Sequence, residues 1–218
     1  MNQQPTYLLD RCKGINERQC PHTLFSIDTF VAGLGKKIEE SGWEFFLLKT
    51  YGGKHHFHHA FRVAVSGCAN SCARSHIADF GMIRAQRPIL EPGRCNGCEA
   101  CVEACPDRVI SMVDGCPVID RDECLLCGLC IQSCPEQAMQ VGKEGWRVLV
   151  GGRLGRRPQL AWELPGLRSE EDVFAILGRS LKLYMKNYRK GLRFGALLSC
   201  IGLDLLDKDN DELDTDVC

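Results

Sequence analysis

Between residues 27 and 38 the apolar side chains Ile27, Phe30, Val31, Leu34 and Ile38 recur every three or four places, the spacing that puts one apolar stripe on a helix. Residues 44–49 and 61–66 are instead short, dense apolar runs of β type, and the pattern predicts a strand for each. Further on, Trp146-Arg-Val-Leu-Val-Gly reads as a buried strand that stops at Gly151-Gly152. Ser169, with Asp172 three places later, carries the signature of a capping box. It opens a helix whose stripe is Val173, Ile176, Leu177, Leu181 and Tyr184. These elements predict one α/β domain built from residues 1–91 and 142–205. Between its halves, residues 92–141 lose the periodicity and become rich in cysteine. The end of the chain differs again: from 203 to 218 there are seven acids against the single Lys208, so residues 206–218 are expected to be a solvated acidic tail.

A chain of 218 residues is long enough for one domain with a small insertion and too short for two full-sized enzyme domains. Its 27 basic and 28 acidic residues leave a formal charge of -1, which argues against bulk electrostatic binding of nucleic acid or of a membrane surface. No stretch approaches the ~20 uninterrupted apolar residues of a spanning helix, and the first residues lack the basic and apolar regions of a signal peptide. A cytoplasmic location is the expectation. In that reducing compartment 15 cysteines are better explained by metal or cluster ligation than by disulfides. Cys116, Cys200 and Cys218 fall outside every motif below and are expected to have no cofactor role.

Cys95, Cys98, Cys101 and Cys105, followed by Pro106, recur 29 residues later as Cys124, Cys127, Cys130 and Cys134, followed by Pro135. Cys-x2-Cys-x2-Cys-x3-Cys-Pro in two copies is the bacterial two-cluster ferredoxin pattern, in which the last cysteine of each run serves the other cluster. The pattern assigns Cys95, Cys98, Cys101 and Cys134 to one [4Fe–4S] centre and Cys124, Cys127, Cys130 and Cys105 to a second. Gly97 and Gly128 suit a backbone that approaches a cluster closely. Zinc sites use paired Cys-x2-Cys without this grammar.

A second constellation, Val65-Ser-Gly-Cys68-Ala-Asn-Ser-Cys72-Ala73 followed by Ile77-Ala-Asp-Phe-Gly-Met-Ile83, closely resembles the second cysteine pair of the sirohaem sulfite and nitrite reductase family. The resemblance implies a third [4Fe–4S] cluster held by two cysteine pairs, with Cys72 also bridging to the sirohaem iron. Its first pair falls on Cys12 and Cys20, where seven residues intervene and the family usually has five. The order of parts is similar to anaerobic and dissimilatory sulfite reductase subunits: a sirohaem-type segment, an inserted ferredoxin, then a return strand with Gly151-Gly152-Arg153-Leu-Gly-Arg156-Arg157-Pro158. The resemblance spans roughly residues 8–206 and is to the C-terminal half of those subunits. The fold class it implies is α+β, a sirohaem sulfite/nitrite reductase-like α/β domain with an inserted bacterial-type 2[4Fe–4S] ferredoxin.

Sulfite reduction to sulfide consumes six electrons, which a haem iron accepts stepwise if clusters supply them singly. The resemblance makes Arg62, Arg153, Arg156 and Arg157 the candidates for the many carboxylates of sirohaem, because guanidinium groups suit bidentate carboxylate binding. Arg62 and His59 are the candidates for the catalytic site: Arg62 keeps one of the family's basic positions in the strand before the second cysteine pair, and Ala60 loses another. His55, His56, His58 and His59 could supply the missing positive charge or protons. The leading expectation is therefore sirohaem-dependent reduction of sulfite or nitrite through an internal ferredoxin. Its alternatives are an iron–sulfur electron-transfer or accessory protein without that activity, and reduction of another small oxidised substrate. The partners expected are sulfite or a similar small oxyanion, an electron-donor protein (ferredoxin or reductase), and a second subunit or second copy over the open face of the cofactor.

Overall fold

In the computed structural model, residues 4–14, 20, 22–23 and 28–207 are described. They form two compact units: the first comprises residues up to Ile83 and from Trp146 onward, and the second is Arg84–Gly145. Ile27, Cys218 and most of the acidic tail lie outside the described residues. Among the described residues no helix is long and apolar enough to cross a membrane.

The first unit is organised on a five-stranded sheet. The sheet's strands are β1 (Tyr7–Arg11), β2 (Phe61–Ser66), β3 (Phe80–Leu90), β6 (Met139–Val150) and β7 (Trp162–Glu163), in the order β1-β2-β3-β6-β7; of β3 and β6 the first unit includes only residues 80–83 and 146–150. β1, β2 and β3 are parallel neighbours, and β6 and β7 are antiparallel. Helices α1 (Asp28–Glu40), α2 (Trp43–Tyr51), α5 (Glu170–Lys186), α6 (Phe194–Ile201) and α7 (Asp204–Asp207) accompany the sheet. The stripe Phe30, Val31, Leu34, Ile38 on α1 is buried in one core with Val173, Ile176, Leu177, Leu181 and Tyr184 of α5. Phe30 stacks on Trp146 at 4.3 Å between ring centres, and Trp43 stacks on Tyr184 at 5.4 Å while its indole N–H donates to Thr6 O at 2.8 Å. At the start of α5 the box is reciprocal: Ser169 Oγ accepts from Asp172 N–H and Asp172 Oδ2 from Ser169 N–H, each at 3.1 Å. Such a cap is worth about 1 kcal/mol.

Residues 44–49 form the interior of α2 and are not a strand. A dense apolar run does not distinguish the two states by periodicity, and here the flanks decide. Gly42 (φ 78°) turns the chain out of α1 and Gly52 (φ 59°) closes α2 in left-handed geometry. Glu44 in the first turn and Lys49 in the last oppose the helix dipole correctly. Trp43 and Leu47, one turn apart, take the buried positions, and Phe45 is left 73% exposed.

The second unit holds the cysteine repeat. Each run delivers its third cysteine on a four-residue helix, Cys101 on α3 (Ala100–Glu103) and Cys130 on α4 (Leu129–Gln132). A hairpin of β4 (Ile110–Val113) and β5 (Cys116–Ile119) closes through Asp114 and Gly115, both at positive φ, as a two-residue turn of this kind requires.

Close backbone packing fixes the far side of the first unit. A Cβ on Gly195 would overlap the carbonyl oxygen of Gly151, and one on Gly152 would lie 2.7 Å from the carbonyls of His76 and Ala78. Backbone cannot retreat as a flexible side chain can. Gly195→Ala is expected to lower the unfolding free energy by about 3 kcal/mol, the upper end of overpacking costs, read from the urea midpoint.

Asp79, 2% exposed, receives Arg62 N–H at 3.0 Å and lies 3.4 Å from Arg193 Nη2. Burial raises its carboxyl pKa, opposed in part by Arg193 and by the Arg62 N–H. A raised pKa means the native state binds more protons than the unfolded chain between the ordinary carboxylate value of about 3.9 and the folded value. Stability therefore falls as pH rises through that window. Asp79→Asn keeps an acceptor for Arg62 N–H, and its pH–stability curve there is expected to be flatter than that of the parent protein.

Candidate functional site

Parallel pairing of β1 and β2 brings the first thiols together. The register sets Arg11 opposite Val65, so the next residues, Cys12 on one strand and Ser66-Gly67 on the other, emerge side by side at the C-terminal ends. Cys12 N–H donates to Val65 O at 3.1 Å and Gly67 N–H to Cys12 Sγ at 3.4 Å. Cys68 and Cys72 follow on the loop that leaves β2. Together with Cys20 they line one cavity of about 400 Å3, whose wall also includes Lys13, Gly14, His22, Ser66, Gly67 and Asn70. Gly14 has a steric reason to be glycine: a Cβ there would lie 2.6 Å from Cys20 Cβ. Ser66 holds the loop, its Oγ 3.0 Å from Ser75 Oγ and accepting from Ala73 N–H at 3.4 Å.

The second unit builds two more such sites. One cavity is lined by Cys95, Cys98, Cys101 and Cys134, and another by Cys105, Cys124, Cys127 and Cys130. Each quartet thus takes three thiols from one run and the last thiol of the other. Cys116 lines neither cavity, and Cys200 sits exposed on α6.

Burial raises the thiol pKa of Cys68, and the charges of Cys20, Cys12 and Cys72 raise it further. Cys101 is raised by burial and then by Cys134 and Cys95, and Cys127 by burial and then by Cys105 and Cys124. Cys130 is pushed up to about 12 by burial and by Cys127, Cys124, Cys101 and Cys105. Thiolates grouped this way need a compensating cation, which metal coordination supplies. Among the described residues no three His, Cys, Asp or Glu are close enough to hold a single ion, for which sulfurs would converge at about 2.3 Å from one metal. Four thiols around one cavity fit a multi-iron cluster, so the chain's own residues suit [4Fe–4S] at all three places.

The other candidate residues lie elsewhere. Arg62, His59, Arg153, Arg156 and Arg157 do not line the thiol cavity of the first unit. His59 precedes β2, and Cys68 follows it, so a six-residue strand of roughly 17 Å separates them. Arg62 is ion-paired to Asp10 at 2.8 Å. Arg153 is engaged at a turn, Nε donating to Arg157 O at 3.1 Å, while Arg156 and Arg157 are exposed. His59 stacks on Tyr51 at 4.1 Å and its Nδ1 accepts from His56 N–H. Burial, the neighbouring histidines and Arg193 all lower its pKa, which disfavours a cationic role. His55 is buried, with Nε2 donating to Gln4 O at 2.8 Å, and so is not part of an exposed histidine loop.

For sirohaem the fit divides. Cys72 is the exposed thiol of its quartet, which suits a sulfur shared with a second iron. None of the arginines assigned to the carboxylates lines the thiol cavity. Sequence reasoning did not single out Lys13, His22 and Asn70 on the cavity wall, nor Asp79 and Arg193. An acid flanked by apolar residues just before a strand is the one signal that marks Asp79.

Alkylation of the cluster-free protein tests the thiol electrostatics. At pH 8 a pKa of about 12 leaves roughly one Cys130 in ten thousand as thiolate. Mass spectrometry after brief iodoacetamide treatment is expected to find Cys72 and Cys98 modified well before Cys130.

The nitrite and sulphite reductase 4Fe-4S domain family matches residues 33–212. The chain is 35% identical over 144 residues to a coenzyme F420-dependent sulfite reductase of Methanocaldococcus jannaschii, covering 65% of this chain and 23% of that protein. It is 29% identical over 86 residues to a subunit of the anaerobic sulfite reductase of Salmonella typhimurium, covering 39% of this chain and 22% of that protein. The chain therefore spans less than a quarter of the length of these curated relatives. The crystal structure of dissimilatory sulfite reductase I superposes with a TM-score of 0.58 at 17% identity, covering 94% of this chain and 53% of that one, a likeness of fold.

Proposed function

The chain belongs to the nitrite and sulphite reductase 4Fe-4S domain family, and from that premise we propose that it is an iron–sulfur oxidoreductase carrying three [4Fe–4S] clusters. The observation that supports it is the sorting of twelve cysteines into three quartets, each around its own cavity. The inserted unit is a two-cluster ferredoxin in this reading, and residues 92–141 are its core. It stores and passes single electrons. The third quartet, Cys12, Cys20, Cys68 and Cys72, marks the reductase site.

The substrate proposed is sulfite, or nitrite, consistent with the names of the relatives. Sirohaem, when bound at Cys72, supplies an iron that takes electrons one at a time into the oxyanion. The chain's own residues then have defined tasks. Gly67 N–H and the strand ends hold Cys12, and Ser66 fixes the Cys68–Cys72 loop. Lys13 and His22 give the cavity wall its basic groups.

A second reading, an electron-transfer or accessory protein derived from such reductases, is favoured by one specific observation: Arg62 is committed to Asp10 and none of the other assigned cations lines the thiol cavity. Visible spectroscopy separates the two readings. Sirohaem bands with sulfite-dependent oxidation of reduced viologen support the reductase, and cluster absorption alone supports the carrier.

Iron analysis after anaerobic reconstitution is expected to give about twelve irons per chain, four for each thiolate quartet, plus one with sirohaem. A value near eight would reject Cys12 and Cys20 as ligands. Cys72→Ser replaces a soft donor by a harder one. It should disturb the third cluster and any haem coupling together, leave the EPR of the two ferredoxin clusters intact, and contrast with a silent Cys116→Ser.

A further inference from the structure

Backbone N–H groups serve several of the cavity thiols. Gly67 N–H donates to Cys12 Sγ at 3.4 Å and Met139 N–H to Cys134 Sγ at 3.5 Å. Burial raises the pKa of Cys68, and the N–H of Asn70 opposes it. The surroundings of Cys20 are of another kind. Thr23 N–H donates to Cys20 O at 3.2 Å, a turn that folds the threonine back beside its cysteine. Thr23 Oγ1 is buried and has no hydrogen-bond partner among the described residues.

Two glycines locate that hydroxyl. A Cβ on Gly14 would overlap Thr23 Oγ1 and would lie 2.6 Å from Cys20 Cβ and 3.4 Å from Cys20 Sγ. A Cβ on Gly67 would lie 3.0 Å from Thr23 Cγ2 and 3.4 Å from Thr23 Oγ1. Gly14, Gly67 and Cys20 all belong to the wall of the thiol cavity, so the hydroxyl stands beside both glycines, on the Cys20 side. A hydroxyl removed from water without a partner is destabilising. A neutral thiol accepts a hydrogen bond weakly, whereas an ionised sulfur draws a stronger one. Ligation of Cys20 as a thiolate therefore supplies the acceptor that Thr23 lacks.

Resting on the cluster reading above, we infer that Thr23 tunes the third cluster, its hydroxyl donating to Cys20 Sγ once that sulfur ligates iron. Reduction places one electron in a core that passes from 2+ to 1+; no covalent bond breaks and the hydroxyl proton stays on Thr23. With four thiolates the whole centre goes from 2− to 3−, so a donor beside one sulfur stabilises the reduced state more than the oxidised one. Hydrogen bonds to sulfur are among the factors that set a cluster's potential, and this one raises it, easing entry of electrons at the reductase site. Unlike the N–H donors, it is carried by a side chain, so a substitution removes it without altering the backbone.

The test is a redox titration of the iron-loaded full chain with dithionite and mediators, followed by EPR, with the two ferredoxin clusters as internal reference. Thr23→Val keeps the shape of the side chain and loses the donor. Thr23→Ser keeps the donor and loses the methyl beside Gly67. At the potential where the parent's third cluster is half reduced, its reduced-to-oxidised ratio in Thr23→Val is expected to fall roughly tenfold, a shift of about 59 mV to the negative for one electron. Thr23→Ser is expected to titrate like the parent, and the ferredoxin signals to stay in place in both variants. Resonance Raman in D2O gives a second readout: part of the isotope shift of the Fe–S(Cys) bands in the parent and in Thr23→Ser is lost in Thr23→Val. Thr23→Ala makes the same comparison where valine hinders loading. An unchanged potential in a fully loaded variant without the hydroxyl, or an equal shift in Thr23→Ser, overturns the inference, since a role in packing alone would follow shape and not the donor. A parent protein that holds about eight irons instead of twelve is a different result: it rejects the third cluster itself, and the role of Thr23 with it.

Discussion

One buried carboxylate holds the first unit in register. Asp79 precedes β3, yet its side chain takes the N–H of Arg62 on β2 and faces Arg193 at the entry to α6, and its carbonyl takes the N–H of Gly151 beyond β6 at 2.8 Å. Arg193 also donates to the carbonyl of His58, just ahead of β2. A buried charge survives only when paired and hydrogen-bonded, and each partner here comes from a different stretch of chain. The glycines follow from the same constraint. Gly151, Gly152 and Gly195 let three backbones come as close as Asp79 demands, and any side chain among them would push its partners apart.

That arrangement also divides the first unit by charge. Arg193, His58 and Asp79 gather where β2 begins, whereas the side chain of Arg62 reaches along the sheet to Asp10, which pairs with Ala64 two places before Cys12. The four thiols gather where β1 and β2 end. Parallel strands enforce the separation, because residues before a strand and after it stand a strand length apart. His58 and His59, nine or ten residues from Cys68 in sequence, are thereby held at the other end of the strand. Arg62 and Arg193 are the counter-ions of Asp10 and Asp79.

This explains what was legible in the sequence and what was not. The stripes on α1 and α5, the capping box at Ser169 and the strand at β2 follow from local spacing, and local spacing is what a sequence displays. The two cysteine runs stand out for the same reason, since their repeat lies in short intervals. Residues 44–49 misled because a short unbroken apolar run fits strand and helix alike, and Gly42 and Gly52 outside the run settle it. The roles of Arg62 and His59 were hidden for a deeper reason. Asp10 and Asp79 become neighbours of Arg62 only when β1, β2 and β3 pair, and no short-range pattern encodes that pairing.

The second unit depends on its cysteines more completely. Its small core is Cys101, Ile110, Cys130 and Met139, with Cys105 and Cys134 packed against it beside Leu90, Val102, Val109, Ile119 and Ile131, so thiols supply a part of what would elsewhere be aliphatic. A unit of this size rarely has enough apolar surface to fold on burial alone and commonly draws on metal or disulfide staples. Each quartet here needs the last cysteine of the opposite run, so neither run can complete a site alone. In the proposed cluster reading, ligation therefore stabilises the fold of Arg84–Gly145, since a site that spans both halves is complete only when both halves have closed.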